Sequence, residues 1–302
     1  RGHEDDWFES KAIVFLTFTA VVGFILFIWR EMNFKYLIVE MRVLKNGNLR
    51  IGTIMSFVLG FGLYGSTFIV PLYTQSILGW TALQSGALMI PAALTTAFMM
   101  PIIGQLLTRG VKQQILVALG LLIFFIYSFW GYKIITPDTG KDAFFWMLIV
   151  RGMGLGLLFI PITSLSLSTL KGPEIGQGAA FTGMMRQLGG SFGIAAITTF
   201  IANKSELYRS TLVAHLDVND LDVQQRVAGL KASFIAKGMS PDKALQSAYQ
   251  ILDYGVTKQA TVLSYMDVFL YLGLMFLICI PFVLFVRERK GKGEKIDLSS
   301  AH

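Results

Sequence analysis

Seven long apolar stretches constrain this chain more than any other feature in it. They lie at about 12–29, 51–78, 83–107, 114–132, 143–170, 179–202 and 262–286. An α-helix needs about 20 apolar residues to cross a bilayer core of roughly 30 Å. In lipid, only helices and closed barrels satisfy every backbone polar group. Each stretch is therefore expected to be a membrane-spanning helix, and the fold an all-α polytopic membrane protein. Composition agrees: of 302 residues, 54% are hydrophobic and 15% charged, against about 25% charged in ordinary soluble domains.

The net charge of +7 would suit a nucleic acid, but the basic residues gather beside the apolar runs, which is a topology signal. No nucleic-acid partner is expected. Arg30, Lys35, Arg42, Lys45 and Arg50 follow the first run, Arg109 and Lys112 the third, and Lys171 the fifth. Arg287, Arg289, Lys290, Lys292 and Lys295 lie in the tail. The alternate short connections hold only Arg1, Lys11, Lys133 and Lys141. The positive-inside rule then puts the start of the chain outside and its end in the cytoplasm. The first residue is Arg, and "RGHEDDWFES" reads as an acidic loop leading directly into a span, so the chain is expected to be the downstream part of something longer. Cys279 lies in an apolar run, and His3, His215 and His302 fall in polar stretches. No disulfide framework, metal site or histidine-based catalytic set is expected in the membrane.

The 203–261 segment, expected outside, carries seven basic and six acidic residues and, at nearly 60 residues, is borderline in length for the charge rule. It has helical structure of its own. Val223, Val227, Leu230 and Phe234 form an apolar stripe that ends at Gly238, a glycine stop. Ser240 then offers an N-cap with Pro241 at the first helical position, and this second helix is expected to run into the last span. The pair serves as a capped surface element or as a docking surface for an external partner.

The spans differ in texture. The fourth, "ILVALGLLIFFIYSFW", and most of the seventh, "FLYLGLMFLICIPFVLFV", are bulky and apolar all round, as lipid-facing helices are. The sixth is rich in Gly, Ala, Ser and Thr, the composition of close helix contacts in membranes. Gly189 and Gly193 form a GxxxG there, and Gly152 and Gly156 another in the fifth. Ser56, Gly60, Tyr64, Thr67, Pro71 and Gln75 recur at steps of three and four along the second span. That polar, bendable stripe is expected to line a cavity or another helix. In the fifth, "RGMGLGLLFIPITSLSLSTL" combines a charge, three alternate glycines and Pro161, and is expected to pack closely and bend.

Three charges lie inside spans. Arg151 is about 12 Å deep at 1.5 Å per residue, and Arg186 lies about seven residues from the cytoplasmic end of the sixth span. Asp267 is the only acid within any of them. An unpaired charge near the bilayer centre costs from roughly 2.5 to over 10 kcal/mol. Arg151 and Asp267 enter from the same side at similar depth, so they are expected to pair. Arg186 is expected to meet carbonyls, water or a carboxylate from sequence outside the chain. "GMGLGL" is not a dinucleotide fingerprint and no Walker sequence occurs; with no catalytic set either, the chain is expected not to be an enzyme.

At this point the chain resembles the major facilitator superfamily, and within it the C-terminal half of fourteen-span drug:proton antiporters of the EmrB/QacA type. The resemblance is carried by "FGLYGSTFIVPLYTQSILGWTALQSGALMIPAALTTAFMMPIIGQLLTRG", "RGMGLGLLFIPITSLSLSTL", "GAAFTGMMRQLGGSFGIA" and "QATVLSYMDVFLYLGLMFLICIP". It implies a six-helix C-terminal bundle preceded by one linker span. Residues 1–50 would hold the linker span and a cytoplasmic loop, residues 51–290 the six-span transporter domain, and residues 291–302 a cytoplasmic tail. The second and fifth spans would line a central cavity, with the fourth and seventh outside. "GQLLTRGVKQ" resembles a degraded cytoplasmic-loop motif: Gly104 and Arg109 remain, while Thr108 stands where the motif has an acid.

The function so implied is part of a proton-coupled exporter of drugs and toxic compounds in the bacterial inner membrane, working by alternating access. A proton gradient would drive it, with no cofactor. Tyr64, Thr67, Gln75, Phe159 and Met185 would meet a small amphipathic substrate. The N-terminal half of the same transporter would complete the pump, and a periplasmic adaptor and an outer-membrane channel are possible further partners. The alternatives are an exporter of a non-drug metabolite (lipid, siderophore or amino acid) and a seven-span receptor. The receptor lacks support from a cysteine pair or from DRY-like and NPxxY-like sequences.

Overall fold

A computed structural model describes residues 11–33, 47–137, 139–170, 172–216 and 221–285. The described residues form eight α-helices and no strand: α1 Lys11–Asn33, α2 Gly47–Ser76, α3 Ala82–Thr108, α4 Gln113–Ile134, α5 Lys141–Leu167, α6 Pro173–Ala214, α7 Leu221–Ala236 and α8 Pro241–Phe285. Among them, α2, α3, α4, α5 and α8 are long and apolar enough to cross a membrane. The expected count of seven is not reached by that criterion. α1 contributes the shorter apolar stretch Val14–Gly23. α6 falls short because the glycines, hydroxyl residues, Arg186 and Gln187 that let it pack closely also lower its hydropathy.

Close packing orders the bundle. α2 lies along α6, α3 along α5, and α4 between α5 and α8. Both GxxxG pairs sit at such contacts. A side chain at Gly189 or Gly193 would strike the carbonyls of Phe57 or Phe61 on α2, and one at Gly60 the carbonyl of Arg186. Gly152 and Gly156 instead hold α5 against α3, beside Ala92 and Met99. Pro71 and Pro161 lie within helices that continue through them. The core is aromatic: Tyr73, Phe124, Tyr127, Phe144, Phe269 and Phe276 are fully buried, and Phe124 stacks on Phe276 at 4.1 Å.

α4, apolar on every side, is packed on one face and exposed on the other. Phe124 and Tyr127 point into the core, and only the face bearing Ile115, Leu119, Ile126 and Phe129 is exposed. A helix that is apolar on every side gives no sequence signal of which side is packed. α1 exposes Phe15, Leu16 and Phe18, and none of the other described helices packs extensively on it.

The long helices carry the chain beyond the bilayer. α6 has 42 residues and α8 has 45, about 63 and 68 Å at 1.5 Å per residue, twice the thickness of the hydrocarbon core. Their outer parts are joined by Ser205 to Thr261 (3.0 Å) and by Arg209 to Asp253 and Thr257. α7 packs on α8, with Val223, Val227, Leu230 and Phe234 half-buried as the stripe requires. Gly238 takes φ +88° after α7, a left-handed conformation that suits glycine. α8 starts at Pro241, with the Ser240 carbonyl accepting from the Ala244 N–H at 2.8 Å.

Candidate functional site

α2, α3 and α5 enclose a pocket of about 360 Å³. α5 supplies Arg151, Leu155 and Phe159 to it, α2 supplies Leu63 and Thr67, and α3 adds Met89, Ala92, Ala93, Thr96, Ala97 and Met100. Ala92, Ala93, Thr96 and Ala97 on α3 make the space; Gly152 on α5 lets the two helices approach, and the Thr96 hydroxyl donates to the Gly152 carbonyl at 3.1 Å. The start of α3 is fixed by a capping box. There the Thr81 hydroxyl accepts from the Gln84 N–H, and the Gln84 side chain accepts from the Thr81 N–H.

Arg151 is only 5% exposed. Its Nε donates to Ser66 Oγ at 2.8 Å, and Nη2 donates to the Leu63 carbonyl at 3.4 Å and to Thr67 Oγ1. These acceptors are neutral. The expected pair with Asp267 does not form, because α4 lies between α5 and α8. Equal depth does not make two helices neighbours. Asp267 instead accepts from Tyr208 Oη at 2.7 Å and lies 3.6 Å from Lys204 Nζ. Tyr208 lies beyond the apolar part of α6. Burial, then the hydrogen bond and charge of Asp267, push its phenol up to about 12, so it remains a donor at any physiological pH.

Arg186 contacts Phe159 and is outside the pocket lining. Its guanidinium carbon is 4.2 Å from the ring centroid, a cation–π contact, and Nη2 donates to Thr163 Oγ1 at 3.4 Å. Its Nε is buried and has no partner among the described residues. Within the described residues Arg186 therefore meets an aromatic face and a hydroxyl.

The expected cavity residues divide. Thr67 and Phe159 line the pocket with Arg151. Tyr64 packs on Gly190, and its hydroxyl donates to Gln187 Oε1 at 3.0 Å, joining α2 to α6. Gln75 is exposed near the end of α2, and Met185 is half-buried on α6 outside the pocket lining. Of the stripe, Ser56 is fully buried and its hydroxyl has no partner among the described residues. Gly104 has open space where a side chain would be. Arg109 is exposed at the C-cap of α3.

Sequence reasoning missed Ser66 and the whole α3 wall. The run "PAALTTA" at 91–97 carried the same small-residue signal as α6 and would have pointed to it.

The family model described as Major Facilitator Superfamily matches residues 12–194. The fatty acid resistance protein FarB of Neisseria gonorrhoeae is 27% identical over 284 residues, 94% of this chain and 54% of that protein. The multidrug export protein EmrB of Escherichia coli (strain K12) is 24% identical over 293 residues, covering 97% and 56%. The multidrug transporter protein MdtP of Bacillus subtilis (strain 168) is 28% identical over 312 residues, covering 98% and 56%. The chain spans about half the length of these curated relatives.

Proposed function

The chain belongs to the Major Facilitator Superfamily, and on that premise we propose that it is part of a proton-coupled exporter of drugs and toxic amphipathic compounds, working by alternating access. The observation that carries this reading is the pocket between α2, α3 and α5: a mostly apolar site that holds a buried charge, Arg151. A charge held inside a membrane helix is costly and marks a pathway or a binding site. Thr67 and Phe159 are its substrate-facing residues. Tyr64, Gln75 and Met185 belong to the wider cavity surface that the N-terminal half would close.

The wider organisation follows the same reading. Residues 1–50 are a linker span and cytoplasmic loop, 51–290 the transporter domain, and 291–302 a cytoplasmic tail. The start of the chain lies outside the bacterial inner membrane, and the basic loops lie in the cytoplasm. The helical projection built from α6, α7 and α8 then faces outward, where a periplasmic adaptor leading to an outer-membrane channel would dock. Gly104 and Arg109 lie on the cytoplasmic side, and Pro71 and Pro161 are the bending points of the cavity helices.

A second reading, an exporter of a lipid-like metabolite, draws support from the name of the relative FarB. Efflux of an amphipathic dye from energised cells carrying the full-length protein separates the two. Protonophore-sensitive dye efflux supports the drug exporter. Gradient-dependent export of fatty acid without dye efflux supports the second reading. If neither is transported, the exporter reading is wrong.

A further inference from the structure

One cation in the wall of the α2–α3–α5 pocket has no counter-charge among the described residues, and we propose that this pocket binds the carboxylate of an amphipathic organic anion. The proposal rests on the exporter reading and narrows its substrate class.

Three observations converge on that class. First, Arg151 is 95% buried by its 5% exposure, yet its described acceptors are Ser66, Thr67 and the Leu63 carbonyl, none of them charged. Arg151 also lines the pocket, so its charge faces the space that a ligand would fill. A guanidinium presents five donors in a plane that matches a carboxylate. Ser66 and Thr67 hold that plane in place before any ligand arrives.

Second, the rest of the lining is apolar. Met89, Ala93, Ala97, Met100, Leu155 and Phe159 leave Thr67 and Thr96 as the only other polar side chains. The volume of about 360 Å³ lies within the range of small-molecule sites. A cation in an apolar wall selects a molecule with a negative head and a hydrocarbon body.

Third, the Arg186 guanidinium stacks on Phe159 at 4.2 Å, and no described acid is paired with it. Phe159 lines the pocket, so a second positive charge lies beside its wall, and a low dielectric strengthens the attraction for an anion. The same charges repel a cation.

The test uses the full-length transporter, purified and reconstituted in nanodiscs at neutral pH. Equilibrium binding of tritiated dodecanoate and of tritiated dodecan-1-ol is measured on the wild type and on three variants. The wild type is expected to prefer the acid by about ten- to hundredfold, the range of one charge-assisted hydrogen bond. In Arg151→Gln the preference should fall to within about threefold, with the alcohol still bound as proof of fold. Arg151→Lys should keep an intermediate preference and decides the matter if Arg151→Gln does not fold. Ala97→Phe, which fills the pocket without touching the charge, should weaken both ligands. A wild type with no preference, or an Arg151→Gln protein that retains it, overturns the proposal. So does a wild type that ignores dodecanoate while Arg151→Gln destabilises the ligand-free protein, because the guanidinium would then serve a carboxylate of the polypeptide itself. Protonophore-sensitive efflux judges the exporter reading separately, since binding preference needs no gradient.

Discussion

Replacing Gly152 by alanine should push α3 away from α5. A Cβ at this position would lie 2.5 Å from the Ala92 carbonyl oxygen and 2.9 Å from Thr95 Cβ. Carbon–oxygen contacts between helices settle near 3.3 Å, so the helices must part by about 0.8 Å. The obstacle is backbone and cannot swing aside. A gap of that size forfeits a quarter to a half of the dispersion attraction across it, and dispersion is a principal force between helices in lipid. Overpacking of this kind costs about 1–3 kcal/mol, and the better helix propensity of alanine returns about 0.5–1 kcal/mol. The net loss should be about 1–2 kcal/mol. Gly86→Ala on α3 is the control, because no atom lies near its missing side chain, and it should be neutral or mildly stabilising. Reversible unfolding of the full-length protein in mixed micelles reads both. If Gly152→Ala is as stable as Gly86→Ala, the close α3–α5 contact described here is wrong.

Other consequences are equally direct. In a double-mutant cycle, Arg151→Gln and Asp267→Asn should add within about 0.5 kcal/mol, as sites without shared partners do; a larger coupling energy would restore the pair that the fold separates. Arg209→Gln breaks an ion pair whose side chains are 49% and 58% exposed, and unfolding should change by less than about 0.5 kcal/mol. Thr81→Ala removes the capping box and should cost about 1 kcal/mol. Faster amide exchange confined to the first turn of α3 is the expected signature, and unchanged exchange would refute it.

Local chemistry was legible in the sequence and neighbourhood was not. The stop at Gly238 and the start at Pro241 could be read because caps act within one turn. The Val223–Phe234 stripe likewise named the packed face of α7. The partner of Arg151 could not be read, because depth along a span says nothing of which helix stands beside it. Ser66 and Thr67 hold Arg151, while Asp267 serves Lys204 and Tyr208 on α6. Tyr64 shows the same limit: its place on a polar stripe was correct, but that part of the stripe meets Gly190 and Gln187 on α6. Only Thr67, three residues on, reaches the pocket. The α3 wall escaped notice because alanines and threonines carry no chemistry until a neighbour leaves space beside them.

The central claim is that the face bearing Thr67 and Arg151 belongs to a cavity that opens and closes in transport. Thr67→Cys in a Cys279→Ala background of the full-length protein tests it, through the labelling rate with a membrane-impermeant maleimide in sealed vesicles. The account expects the rate to change severalfold when a proton gradient is imposed, and to fall when a transported compound is added. A labelling rate indifferent to both gradient and compound would contradict it.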